Sequence, residues 1–159
     1  TEQILDQNSL YKVRLTLNED GRINIGYETI PPVIEKPVRL KICPTPTDSN
    51  DRFLFHKTNR RELYITEYNI AKEEGYFDVL FQNELGQITE GAITNLYIKK
   101  DDMLCTPPVS CGLLNGVYRQ VLLKDGKARE KIITLEEIAI AGEVYVSNSV
   151  RGLVRGCVE

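Results

Sequence analysis

Apolar and polar residues alternate through Tyr11-Lys12-Val13-Arg14-Leu15-Thr16-Leu17, and alternate again in Arg22-Ile23-Asn24-Ile25 after the turn-forming Asn18-Glu19-Asp20-Gly21. A period of two sends successive side chains to opposite faces, so this stretch predicts a β-hairpin. A further strand is expected over Val38 to Cys43, after the proline pair Pro31-Pro32 and Pro37. It ends before Pro44-Thr45-Pro46-Thr47-Asp48-Ser49-Asn50, which reads as a linker because Pro, Thr, Ser and Asn favour turns and extended backbone.

The period then changes. Leu63, Tyr64, Tyr68 and Ala71 share one helical face between Arg60 and Glu74, and Gly75 is placed to close that helix. A strand over Asp78 to Gln82 follows, turned back by Asn83-Glu84-Leu85-Gly86. Two short strands, Asn95 to Lys99 and Met103 to Cys105, flank Lys100-Asp101-Asp102 and suggest a largely antiparallel sheet. From Gly116 to Lys124 the pairs Val117/Val121 and Tyr118/Leu122 predict a second helix with Asn115 as its cap. Thr134 and Glu137 form a capping box for a third, short helix, with Ile133 and Ile138 as its hydrophobic staple. Strands at Glu143 to Val146 and Gly152 to Val158 finish the chain, and the irregular crossovers favour an α+β class.

Composition narrows the partners. Twenty Lys plus Arg against 23 Asp plus Glu give a net charge of -3, too balanced for the basic field that nucleic acid or anionic membrane usually requires. No apolar run approaches the ~18 residues of a membrane span, and the polar start TEQILDQNS lacks a signal peptide's order, so a cytoplasmic chain is expected. The four cysteines, Cys43, Cys105, Cys111 and Cys157, form no CxxC, and one histidine cannot complete a zinc set. Free thiols in a reducing compartment and no metal site are the expectation.

Candidate chemistry is scattered. Lys57 ends the apolar run Phe53-Leu54-Phe55-His56, which would carry its amine to the edge of a core; a desolvated lysine is a nucleophile and general base. Most lysines are solvated surface groups, and the residue alone leaves both readings open. His56 reads as a hydrogen-bonded structural residue. Leu113-Leu114-Asn115-Gly116-Val117-Tyr118-Arg119 sets a flexible loop before a helix, where unpaired N–H groups and the helix dipole favour a phosphate, or where a capped helix simply begins. Ser147-Asn148-Ser149 offers hydroxyl and amide groups after a strand. Glu90 stands at a strand end beside Gly91, which would permit close approach of a planar ligand.

Taken together and in order, FHKTNR, NELGQITEGAITNLYI, CTPPVSCGLLNGVYRQVL and EVYVSNSVRG resemble the pyridoxal-phosphate enzymes of fold type IV. These comprise branched-chain aminotransferases, D-amino-acid aminotransferases and aminodeoxychorismate lyases, and the likeness covers about residues 52 to 156. KTNR after the lysine and NGxxRQ at the phosphate helix look most like the lyases.

The resemblance implies a D-amino-acid-aminotransferase-like fold: residues 1–45 as closing strands of a truncated small domain, 46–51 as linker and 52–159 as the large cofactor-binding domain. It implies pyridoxal 5′-phosphate as cofactor, Lys57 as the residue that binds it covalently, and Glu90 as the carboxylate facing the ring nitrogen. Asn115, Gly116, Val117 and Tyr118 at the helix start, with Ser149 and Asn148, would hold the phosphate, while Arg119, Asn95 and Arg151 match recurrent supporting or substrate-contacting positions. Tyr118 stands where the aminotransferases tend to place a phosphate-binding threonine. The implied activity is lysis of 4-amino-4-deoxychorismate to p-aminobenzoate and pyruvate, in a homodimer. The alternatives are an aminotransferase or, because the arginine-bearing part of the small domain is not in this chain, a non-catalytic domain.

Overall fold

The computed structural model describes residues 9–30, 34 and 36–159, so the proline pair Pro31-Pro32 and the first eight residues lie outside the description. The chain forms two compact units, Thr1–Val33 and Ile34–Glu159. In the first, β1 (Tyr11–Leu17) and β2 (Ile23–Thr29) pair antiparallel in the register Tyr11 to Thr29 through Leu17 to Ile23. The predicted hairpin is present, and Gly21 takes the left-handed turn position at φ 82°.

The second unit contains β3 (Val38–Ile42), α1 (Glu62–Glu73), β4 (Asp78–Gln82), β5 (Ile88–Gly91), β6 (Asn95–Lys100), β7 (Met103–Thr106), α2 (Val117–Lys124), β8 (Ala128–Glu130), α3 (Leu135–Ile140), β9 (Val144–Asn148) and β10 (Gly152–Val158). The α+β class stands. Of the eight pairings in its sheet, five are antiparallel and three parallel, so the sheet is more mixed than the pattern implied. Strand order is β5-β4-β3-β10-β9-β6-β7-β8, and β5 also pairs with β6. That extra pairing, Glu90 opposite Asn95, closes β6, β5, β4, β3, β10 and β9 into a ring of six strands.

The units divide at Val33/Ile34 and not after residue 45. Strand β3 pairs parallel with both β4 and β10, and Leu40 is fully buried between them, so burial assigns β3 to the large unit. The stretch read as a linker is likewise pinned to the fold. Thr47 forms a parallel bridge with Asn83, and Ser49 donates its N–H and hydroxyl to Glu84 at 2.8 and 2.6 Å.

Side-chain alternation divides the core. Leu80 joins Val38, Leu40, Ile88, Leu96, Ile98, Val144, Val146 and Val154 in one cluster. Its neighbours Val79 and Phe81 point the other way, to Tyr64 and Ala71 of α1. Tyr97 similarly leaves the first cluster for Leu122 of α2. Helix α1 ends as expected: Gly75 is left-handed at φ 83°, its N–H bonds Lys72 O, and Tyr76 N–H bonds Ala71 O. Thr134 caps α3 by accepting from Glu137 N–H, but the Glu137 carboxylate pairs with Lys131, so only half of the capping box forms.

The turn that closes the ring is tied to a carboxylate. Asp78 is fully buried and accepts from the Thr94 hydroxyl at 2.6 Å and from the N–H groups of Val79, Ala92 and Ile93 at 2.8, 3.0 and 3.3 Å. A Cβ on Gly91 would stand 2.2 Å from Asp78 Oδ2, so only glycine fits there. Burial outweighs those donors and pushes the Asp78 carboxyl up from 3.8 to about 6. Between those values the folded protein binds a proton that the unfolded chain does not, so raising the pH removes stability. Relative to Asp78→Asn, the wild type should therefore lose about 1–3 kcal/mol as pH rises from about 4 to about 6, measured by urea unfolding across that range.

Candidate active site

Glu90 lies in the strand pair that closes the ring, 3% exposed, where water cannot solvate its charge. Arg61 Nη2 donates to its Oε1 at 2.5 Å, and the Leu114 N–H also favours the anion. Burial still dominates, with Asp78 adding like charge, and pushes the Glu90 carboxyl up to about 8. A buried acid paired with a single cation is a candidate for chemistry or cofactor contact.

Asn95 connects Glu90 to the helix start. Besides its pairing with Glu90 it sits opposite Ser147 of β9, and its Nδ2 donates to Leu114 O at 2.9 Å. A Cβ on Gly116 would lie 2.2 Å from Asn95 Oδ1, so the chain passes this point only as glycine. Gly116 is the cap residue of α2 and the first turn carries no acidic side chain. The leading N–H groups of a helix have no intrahelical acceptor, and here no carboxylate competes for them.

Several expected roles change. Asn115 is not the cap: its Oδ1 accepts from Arg119 Nη1 at 2.8 Å, and Gly116 takes the cap position without any side-chain bond. Arg119 is fully buried and bonds Pro107 O and Glu130 as well, at 2.7 and 2.6 Å, so it braces α2 and does not face substrate. Asn148 is spent on the turn after β9, its Oδ1 accepting from Val150 and Arg151 N–H and its Nδ2 donating to Ile93 O. It presents Ser149, which is exposed, in place of its own amide. The Tyr118 ring packs toward Gly152, its hydroxyl 3.5 Å from where a Cβ there would stand.

Lys57 is exposed and not at the edge of the core; it follows the short 3-10 turn Arg52–Phe55. His56 is exposed too. The lysine segment nevertheless reaches the site through Arg61, four residues on, whose pairing with Glu90 periodicity did not reveal. The four cysteines are free, and the described residues contain no cluster able to hold a metal. No described helix is long and apolar enough to cross a membrane.

The buried carboxylate meets the glycine-started helix through Asn95, and Arg61 tethers to it the segment that carries the exposed lysine. The amino-transferase class IV family profile matches residues 2–157, and the chain belongs to that family. Its fold is that of the fold-type IV pyridoxal-phosphate enzymes. A provisionally named amino-acid aminotransferase from Mesorhizobium loti superposes with a TM-score of 0.89 at 35% identity, over 94% of this chain and 73% of that one. A provisionally named 4-amino-4-deoxychorismate lyase from Legionella pneumophila gives 0.75 at 25%, over 86% and 53%. A provisionally named aminodeoxychorismate lyase of Schizosaccharomyces pombe is 27% identical over 97% of this chain and 69% of its own length. The chain thus spans from about half to three quarters of these relatives.

Gly116→Ala should force Asn95 off Leu114 and cost about 1–3 kcal/mol in urea unfolding. The Asn95 side-chain amide resonance should move with it, and an unchanged resonance would show that the close approach is not a constraint.

Proposed function

We propose that the chain is the cofactor-binding part of a pyridoxal-phosphate-dependent lyase that converts 4-amino-4-deoxychorismate to p-aminobenzoate and pyruvate. The observation that carries this reading is the meeting of buried Glu90 with the Gly116 helix start through Asn95. These residues fit the cofactor: the α2 start and the exposed Ser149 hydroxyl suit its phosphate, and an acid beside an arginine suits its ring nitrogen. The lyase assignment is supported by KTNR and NGVYRQ and by the relatives named for that activity.

Bound pyridoxal phosphate supplies the electron sink that acidifies the substrate carbon bearing nitrogen. Glu90 holds a proton at the ring nitrogen through a charge-assisted hydrogen bond. The backbone N–H groups of Val117 and Tyr118 would hold the phosphate, with the α2 dipole adding to them. Lys57 would hold the cofactor covalently, and its amine would serve as the base that takes the proton from that substrate carbon. Removal of the proton by Lys57 lets the neighbouring enolpyruvyl ether leave, which aromatises the ring and yields pyruvate once the enolpyruvate is protonated. The homodimer belongs to the same reading.

A second reading, an aminotransferase, is favoured by the 35% identity to the Mesorhizobium protein. It uses the same Lys57 and Glu90 and requires a keto-acid acceptor. Paired assays separate them: release of p-aminobenzoate with pyruvate marks the lyase, and amine transfer to a keto acid marks the aminotransferase.

Borohydride treatment of the protein with pyridoxal phosphate should place the cofactor on Lys57 in peptide mapping, and label on Lys72, Lys99 or Lys124 would refute the assignment. Glu90→Gln should keep that attachment while slowing turnover by about ten- to a hundredfold, the equivalent of one charged hydrogen bond at about 1.5–3 kcal/mol.

A further inference from the structure

Arg61 spends its charge on the protein interior. It immediately precedes α1, without a side-chain capping bond, and its side chain is only 12% exposed. The guanidinium carbon lies 3.9 Å from the centroid of the Tyr64 ring, one turn into α1. Tyr64 in turn stacks on Phe81 of β4, with centroids 4.0 Å apart and planes at 17°. Two stacked rings therefore fix the plane of the cation, and its Nη2 reaches a single oxygen of Glu90. Arg61 Nε is buried and has no hydrogen-bond partner. A surface arginine with free choice of rotamer would not leave it so.

The other groups around Glu90 do not supply what Arg61 supplies. Asp78, from β4, is a like charge that favours the neutral acid. Tyr64, from α1, is held protonated by its own burial. From the loop before α2 comes only the Leu114 N–H, a dipole. Burial disfavours the anion, and the guanidinium of Arg61 is the one full positive charge in hydrogen-bond reach among the described residues.

We propose that Arg61 is a positioning residue that favours the Glu90 anion against the pull of burial and sets the direction of its carboxylate, so that the charge left when the acid meets a ring nitrogen is already matched. This deepens the functional reading and rests on it, because a neutral Glu90 has no charge with which to hold a proton at that nitrogen. The same contact ties the Lys57 segment to the strand pair that closes the ring, placing attachment point and ring-nitrogen partner under one constraint.

The test uses cofactor-free protein with carboxyl-labelled glutamate, the Glu90 resonance being assigned by its loss in Glu90→Gln. In Arg61→Met the Glu90 titration midpoint should rise by about one to three pH units, as expected for removal of an adjacent opposite charge, with a smaller rise in Arg61→Lys. An unchanged midpoint in Arg61→Met overturns the proposal. If Arg61→Met does not fold, the Arg61→Met/Glu90→Gln double variant decides: recovery of cooperative unfolding shows that an unpaired buried carboxylate was the fault, and continued failure shows a packing role and overturns the proposal. A second readout separates the proposal from the reading beneath it. If Glu90→Gln changes the pH response of the visible band of bound pyridoxal phosphate and Arg61→Met does not, the inference about Arg61 fails while the role of Glu90 stands. If Glu90→Gln leaves the band untouched, the ring-nitrogen role fails, and the carboxyl titration still decides whether Arg61 favours the Glu90 anion.

Discussion

The large unit depends on a single strand junction. Without the pairing of Glu90 with Asn95, β5 would be a sheet edge and the six strands an open, curled sheet. Closure removes that edge and buries the junction, with Asp78, Glu90, Thr94 and Asn95 nearly inaccessible. The polar groups brought there must therefore satisfy one another: Asp78 takes the N–H groups of the turn, Arg61 takes Glu90, and Asn95 takes the carbonyl before α2. The site is made of the groups that closure would otherwise strand.

This placement explains why the junction is rich in glycine. Gly91 and Gly116 do not sit at left-handed positions; each is small because a polar side chain occupies the space a Cβ would need, Asp78 in one case and Asn95 in the other. The limits are steric and local, and they hold the helix start and the buried acid in fixed register with one another.

Much of the fold was legible as pattern. Period two marked the β1–β2 hairpin, turn residues bracketed β4 and β6, and Gly75 and Thr134 marked helix ends, because those signals depend on neighbours in the chain. What local pattern could not carry was anything decided across the sheet. Strand β3 looked like a companion of the hairpin and is instead the middle of the ring; Ala128–Glu130 is too short and polar to read as a strand and becomes one by pairing with β7. Asn115 had the right residue type for a cap, but Arg119 needed an acceptor in the interior and took it. Lys57 and Glu90 were singled out through resemblance alone, whereas Arg61 was hidden because two adjacent arginines at a helix start look alike until one of them is buried.

The parallel pairing of β3 with β10 joins residues such as Arg39 and Cys157, far apart in the chain. Leu40 of β3 also accepts the N–H of Glu159 through its carbonyl. During synthesis β3 precedes β10 by more than a hundred residues and must wait with one side unpaired until β10 has left the ribosome. Such distant pairings are slow, and the strand that waits is open to wrong partners in the meantime. The segment least able to fold on time is thus one flanked on both sides in the finished sheet by strands that follow it in the chain.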